Sequence, residues 1–174
     1  MKLLETFTDK DIFPDYISAG NLGYRLRNAG RAIVQDEKGA VALLAVTKKG
    51  YHKLPGGGVE EGEDIPIALA REIMEEIGCE AEVVGEVGQI IEYRDQELLH
   101  QESFCYLALL TGSKGKPDFT EDEKADGFEV LWVDSLQEAV KLLENDEPGD
   151  YNGKFIKQRD LFFLKAAQSI TQTI

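Results

Sequence analysis

Apolar residues recur along this chain in two rhythms, and the switches between them mark out the elements. GRAIVQD (30–36) and AVALLAVTKK (40–49) are strand-like runs, and Glu37-Lys38-Gly39 between them is a turn, so the pair reads as a hairpin. YHKL (51–54) is a short strand stopped by Pro55, and PGGGVEEGE (55–63) is too punctuated by glycine for anything but a loop. From Ile65 to Ile77 the period lengthens to that of a helix. Ile67, Ala70, Ile73, Met74 and Ile77 gather in one arc, and Gly78 supplies the stop. Strand-like stretches return at 80–93 and 99–111 around a turn at Asp95-Gln96. A polar loop (112–127) then leads into the strand FEVLWV (128–133). Helices are predicted from Ser135 to about Glu144, capped by Asp134 or Ser135, and from about Gly153 to Ser169. Residues 1–28 carry little periodicity and read as an arm. This order of strands, helix, strands and helices predicts an α+β fold, a mixed-sheet sandwich flanked by helices, rather than alternating βαβ units.

Composition narrows the function. The 174 residues suit one domain, with the arm at one end and a C-terminal helix (150–174) appended to the core. Nineteen basic against 33 acidic residues leave a net charge of −14, and there is no basic run, so nucleic acid and anionic membranes are not expected partners. No apolar run has the length of a membrane span, and MKLLETFTDKD turns acidic too early for a signal peptide. Cys79 and Cys105 form neither a disulfide framework nor a CxxC pair, which fits a reducing cytoplasm.

The chemistry lies on the first helix. Glu72, Glu75 and Glu76 fall on the side of the helical wheel opposite the apolar arc, at i, i+3 and i+4, with only Arg71 nearby to offset them. Taken alone, such a face reads as solvated surface, and PGGG reads as a turn. A hard divalent cation held by carboxylates, waters and substrate phosphates is the alternative. The two features stand at a fixed spacing: Gly57, five residues, Glu63, seven residues, then Arg71-Glu72-Ile73-x-Glu75-Glu76-x-Gly78-Cys79. This resembles the signature of the Nudix hydrolases, MutT-like enzymes, with Cys79 in place of the usual aliphatic residue. The likeness spans roughly residues 28 to 145.

The resemblance implies hydrolysis of a phosphoanhydride in a nucleoside diphosphate linked to another group, with Mg²⁺ or Mn²⁺ as cofactor and a small nucleotide as substrate. It makes Glu72, Glu75 and Glu76 the metal-binding and base-supplying carboxylates and the Gly56 carbonyl a further metal ligand. Arg71 orients a glutamate, while Gly57, Glu63 and Gly78 are structural. Some relatives draw the base from a later loop, for which Glu123 is the preferred candidate. His52, Lys53 and Arg31 are candidate substrate contacts, with packing or surface roles as the alternatives. No proline follows the motif where sugar-nucleotide hydrolases tend to have one, and Tyr93 is slightly offset from the tyrosine of dinucleoside-polyphosphate hydrolases. By elimination the favoured substrate is a nucleoside triphosphate, an oxidised or noncanonical one included; ADP-sugars, dinucleoside polyphosphates and a non-catalytic nucleotide-binding module are the alternatives. Phe155, Ile156, Phe162, Phe163, Ala166 and Ile170 recur at helical spacing and are expected to dock the last helix onto the fold, with a homodimer contact as the alternative. Repulsion among the three glutamates predicts that neutralising Glu76 leaves the metal-free protein as stable or slightly more so.

Overall fold

The computed structural model describes residues 1–18, 20 and 23–171. In chain order the elements are β1 (Leu3–Thr8), the single turn α1 (Asp9–Ile12), β2 (Arg25–Gln35), β3 (Val41–Val46), β4 (Tyr51–Lys53) and α2 (Ile65–Ile77). There follow β5 (Glu80–Arg94), β6 (Leu99–Thr111), α3 (Glu121–Asp126), β7 (Phe128–Val133), α4 (Leu136–Asn145) and α5 (Tyr151–Thr171). One mixed seven-stranded sheet runs β1-β5-β6-β2-β3-β4, with β7 on the other edge of β3. The α+β sandwich and its helices are as the sequence pattern predicts. The last three residues of the appended C-terminal segment, 172–174, lie outside the described residues.

Strands β2 and β3 read as near-continuous apolar runs because both of their faces are buried. Alternation sends Ala32, Val34, Ala42 and Leu44 to one side, where they pack with Leu69, Ile73 and Ile77 of α2. It sends Ile33, Val41 and Leu43 to the other side, against Val140 and Leu143 of α4 and Phe155, Phe163 and Leu164 of α5.

The expected hairpin forms only at its turn. Gln35 pairs with Val41, and from there β2 and β3 splay apart. Along its whole length β2 instead pairs in parallel with β6, from Arg25–Leu99 to Gln35–Leu109. Into the splay enters the glycine loop: Gly30 N–H donates to Gly57 O and Ala32 N–H to Pro55 O, both at 3.0 Å. Val59 N–H donates to Asn28 O at 2.9 Å. A punctuated loop is thereby held as an irregular strand against a rigid one, which fixes its backbone where a site needs it.

Helix α2 has the ends its sequence dictates. The Asp64 carboxylate accepts from Ile67 N–H, Pro66 sits in the first turn, and Gly78 closes the helix at φ 66°. Its buried face differs from the expected one. Ala68, Leu69, Ile73, Glu76 and Ile77 point inward, whereas Ile67 and Met74 are exposed. The helix is rotated toward its glutamates because Glu76 finds partners in the interior.

Two further segments depart from the pattern. Within the arm, β1 pairs in parallel with β5, Glu5 to Thr8 opposite Ile90 to Tyr93. Within the polar loop, Thr120 caps the short α3, whose end is closed by Gly127.

Candidate active site

The glycine loop and α2 meet through side chains that leave little freedom. Arg71 is the hub. Its Nε and Nη2 donate to the two oxygens of Glu63 at 2.8 and 3.0 Å, a bidentate pair. Its Nη1 donates to Glu72 at 2.9 Å and Glu75 at 3.2 Å, and Nη2 also reaches the Gly58 carbonyl at 3.2 Å. One guanidinium thus ties the loop to the helix and holds two carboxylates on the same side of it. The pairing with Arg71 pulls the Glu63 carboxyl down to about 2, and Glu63 in turn keeps Arg71 firmly protonated.

That shift carries a prediction. The folded pKa of Glu63 lies below its ordinary value of 4.5. Its stabilising contribution is therefore complete above about pH 4.5 and is lost as pH falls toward 2. In Arg71→Met the Glu63 carboxyl is expected to titrate back near 4.5, read by NMR of the carboxyl carbon. An unchanged titration would remove Arg71 as its cause.

Glu76 lies apart from this network, 2% exposed. One oxygen accepts from Lys53 Nζ and the other from Gly56 N–H, both at 2.6 Å. Burial raises its pKa against the opposing pull of Lys53. This corrects the expectation that Glu76 suffers only repulsion from its neighbours: it is one half of a buried ion pair with Lys53. Lys53 therefore reaches the carboxylate face, with its ammonium 5.1 Å from the centre of the Phe128 ring.

The glycines explain the loop's approach. Gly56 stands at φ 127°, and a Cβ there would run into the Gly30 carbonyl. At Gly57 a Cβ would occupy the place of the Glu72 carboxylate, which rests directly over the loop backbone. Behind Gly78 the Lys116 backbone passes equally close. Two substitutions should behave differently in consequence. Gly56→Ala meets backbone at a strained φ and is expected to lower stability by about 2–4 kcal/mol in urea unfolding. Gly57→Ala meets only a movable side chain, so it is expected to fold with small loss while displacing Glu72 and cutting turnover at least about tenfold. The reverse order of the two stability losses would contradict this geometry.

The donor set fits a hard cation. Glu72, Glu75, Glu76 and the Gly56 carbonyl offer oxygen only, and Gly57 leaves the space that the Glu72 carboxylate occupies against the loop. Among the described residues no three acidic, histidine or cysteine side chains are gathered closely enough to hold a metal ion by themselves. The carboxylates line one end of α2, as suits an ion that takes its other ligands from water and phosphate.

The remaining candidates fall elsewhere. Consecutive residues of a strand face opposite ways, so with Lys53 turned to Glu76, His52 is turned to α4. There its Nδ1 pairs with Asp146 Oδ1 at 2.8 Å and its N–H donates to Asp146 Oδ2 at 2.7 Å. Glu123 accepts from Thr120 N–H and Oγ1 at 2.8 and 2.9 Å, closing a capping box in α3 rather than bonding to the α2 cluster. Arg31, expected at the surface or on a phosphate, is buried at 5% exposure. His100 stacks on Tyr93, and Cys79 and Cys105 are both buried and free.

Sequence reasoning missed Arg27, Glu92, Arg159 and Asp160. Arg27 donates to Gln101 Oε1 at 2.6 Å, Arg159 lies by Glu92 (3.4 Å) and Asp160 (2.7 Å), and Asp160 accepts from Leu54 N–H at 2.8 Å. The signal available was the alternation Arg25, Arg27, Arg31, visible once β2 is taken to start at residue 25 rather than 30.

The NUDIX domain family model matches residues 25–154. The chain belongs to that family, and it is a hydrolase acting on phosphoanhydride bonds, the class its fold and site define. It is similar to the ORF135 protein of E. coli, at 22% identity over 87% of this chain and 96% of that one, with a TM-score of 0.59. A NUDIX hydrolase from Nitrosomonas europaea matches at 15% identity over 83% and 90% of the two chains (TM-score 0.61). An ADP-ribose pyrophosphatase from Streptococcus suis matches at 18% over 82% and 92% (TM-score 0.51). At these identities the likeness is one of fold. Among the described residues no helix is long and apolar enough to cross a membrane.

Proposed function

We propose that this chain is a Mg²⁺-dependent pyrophosphohydrolase of a small nucleotide, a nucleoside triphosphate before an ADP-sugar. The observation that carries the reading is the Arg71 hub, which binds Glu63, Glu72 and Glu75 at once beside a loop whose Gly56 leaves no room for a side chain. Glu72, Glu75 and Glu76, with the Gly56 carbonyl, would hold the ion; when bound, it neutralises the polyphosphate and makes a water nucleophilic. Glu75 is the most exposed of the three carboxylates, its side chain 47% accessible, and takes the attacking water's proton. Arg71 holds Glu72 and Glu75 in place by donating to both. Lys53 shares Glu76 with the Gly56 amide and so sets the loop against the helix. Arg31 meets the substrate's phosphate.

The test is release of phosphate or pyrophosphate from a panel of canonical, oxidised, sugar-linked and dinucleotide substrates, with and without Mg²⁺. Metal-dependent release greatest from a triphosphate supports the proposal. Greater release from ADP-ribose would move the substrate to the class named for the Streptococcus suis protein. No release from any of them would leave a nucleotide-binding module.

A further inference from the structure

Beneath the glycine loop, on the α5 side of the sheet, lies a group of arginines whose charges do not balance. Arg159 is matched by Asp160 and Glu92, and Arg94 by Glu92 and Glu97. Arg27 and Arg31 have no carboxylate partner among the described residues. Among those residues Arg27 bonds only to the neutral Gln101, and Arg31 Nε and Nη1 are buried without a hydrogen-bond partner. One N–H of Arg159, at Nη2, is likewise buried and unpartnered. Burial and the neighbouring Arg159 lower the pKa of Arg31 only to about 10, so it is charged at neutral pH. Asp160, Glu92 and Glu76 attract Arg31, and Glu72 attracts the half-buried Arg27, only at longer range, so the buried, unpartnered N–H groups of Arg31 remain costly unless something else accepts from them.

The missing partner has a definable chemistry. It is an anion that accepts several hydrogen bonds from planar donors on different elements, which suits the three-oxygen phosphoryl group of a nucleotide. Its position follows from the loop: Arg31 lies directly under Gly56, and its field extends to Glu76, while that of Arg27 extends to Glu72. The metal-binding face and the arginines thus stand on the two sides of the glycine loop.

We infer that Arg27 and Arg31 of β2, with Arg159 of α5, form a seat for a substrate phosphoryl group on the side away from the carboxylates. This rests on the nucleotide reading above and extends it, because Arg159 lies beyond the segment that the family model matches. The C-terminal helix is then part of the substrate site, not only packing. An acidic protein thereby meets an anionic substrate with cations on both sides.

The experiment uses the full chain in chelator, where no turnover occurs. Inorganic phosphate, compared with chloride at matched ionic strength, is expected to raise the parent's Tm by about 3–5 °C. Arg31→Met should abolish that rise, melt no lower than the parent without phosphate, and weaken calorimetric binding of a nucleoside triphosphate at least tenfold. Should Arg31→Met fail to fold, Arg27→Gln carries the same comparisons. No phosphate effect in the parent, or an equal one in the variant, overturns the seat. Loss of the phosphate effect with unchanged nucleotide affinity overturns its assignment to substrate. If the parent hydrolyses nothing in the panel yet binds phosphate and nucleotide through Arg31, the seat stands and the hydrolytic reading falls.

Discussion

Replacing Glu75 by Gln is expected to lower kcat by at least about a hundredfold with Mg²⁺ present, since it removes the carboxylate that would hold the cation and accept the attacking water's proton. The substitution is isosteric, and a Gln oxygen can still accept from Arg71 at the 3.2 Å that Glu75 occupies. The side chain is half exposed, so stability should change by no more than about 0.5 kcal/mol. Loss of rate without loss of stability distinguishes a chemical role from a structural one. Single-turnover kinetics beside a urea melt measures both. Turnover close to that of the parent would take Glu75 out of the mechanism and return attention to Glu72.

The second large effect concerns stability, and it reverses what helix repulsion alone suggests. Glu76 and Lys53 form a buried pair, with side chains 2% and 11% exposed. Neutralising one partner leaves the other charged in the interior. Glu76→Gln in chelator is therefore expected to cost roughly 3–5 kcal/mol, a fall in Tm of about 6–20 °C for a chain of this size. The double variant Lys53→Met, Glu76→Gln removes both charges while the glutamine still accepts from Gly56 N–H, so it should recover most of the loss. Melts of the three proteins in chelator decide the matter. A single variant that melts within a degree of the parent would show that the pair contributes nothing to folding.

Residues near in sequence supplied the limits of the elements. α2 spans 65–77 as predicted because its signals are local: the Asp64 cap, Pro66 in the first turn and Gly78 at the end. The spacing of Gly57, Glu63, Arg71, Glu72, Glu75 and Glu76 was legible for the same reason, since all six lie within twenty residues and the helix fixes the separation of the last four. The Ser135 cap of α4, whose hydroxyl accepts from Glu138 N–H, is another local signal that held.

Which face of α2 is buried was not legible. The apolar arc included Ile67 and Met74, both exposed, and excluded Glu76, which is inside. A hydrophobic wheel weighs each residue by its own polarity, whereas Glu76 is buried because Lys53, 23 positions earlier, and the Gly56 amide are there to receive it. The opposite placement of His52 and Lys53 follows from strand alternation, but only once β4 is known to lie between α2 and α4.

The chain by itself determined the family motif and the ends of the helix that carries it, because those rest on backbone geometry and contacts within a few residues. Only the tertiary structure decided that β2 leaves its hairpin partner for β6, admits the glycine loop as its neighbour, and turns Arg27 and Arg31 toward Arg159 of a helix more than a hundred residues away. The physical reason is that pairing between distant strands and the charge balance of a buried cluster depend on which segments pack together, and no local pattern of residues encodes that choice.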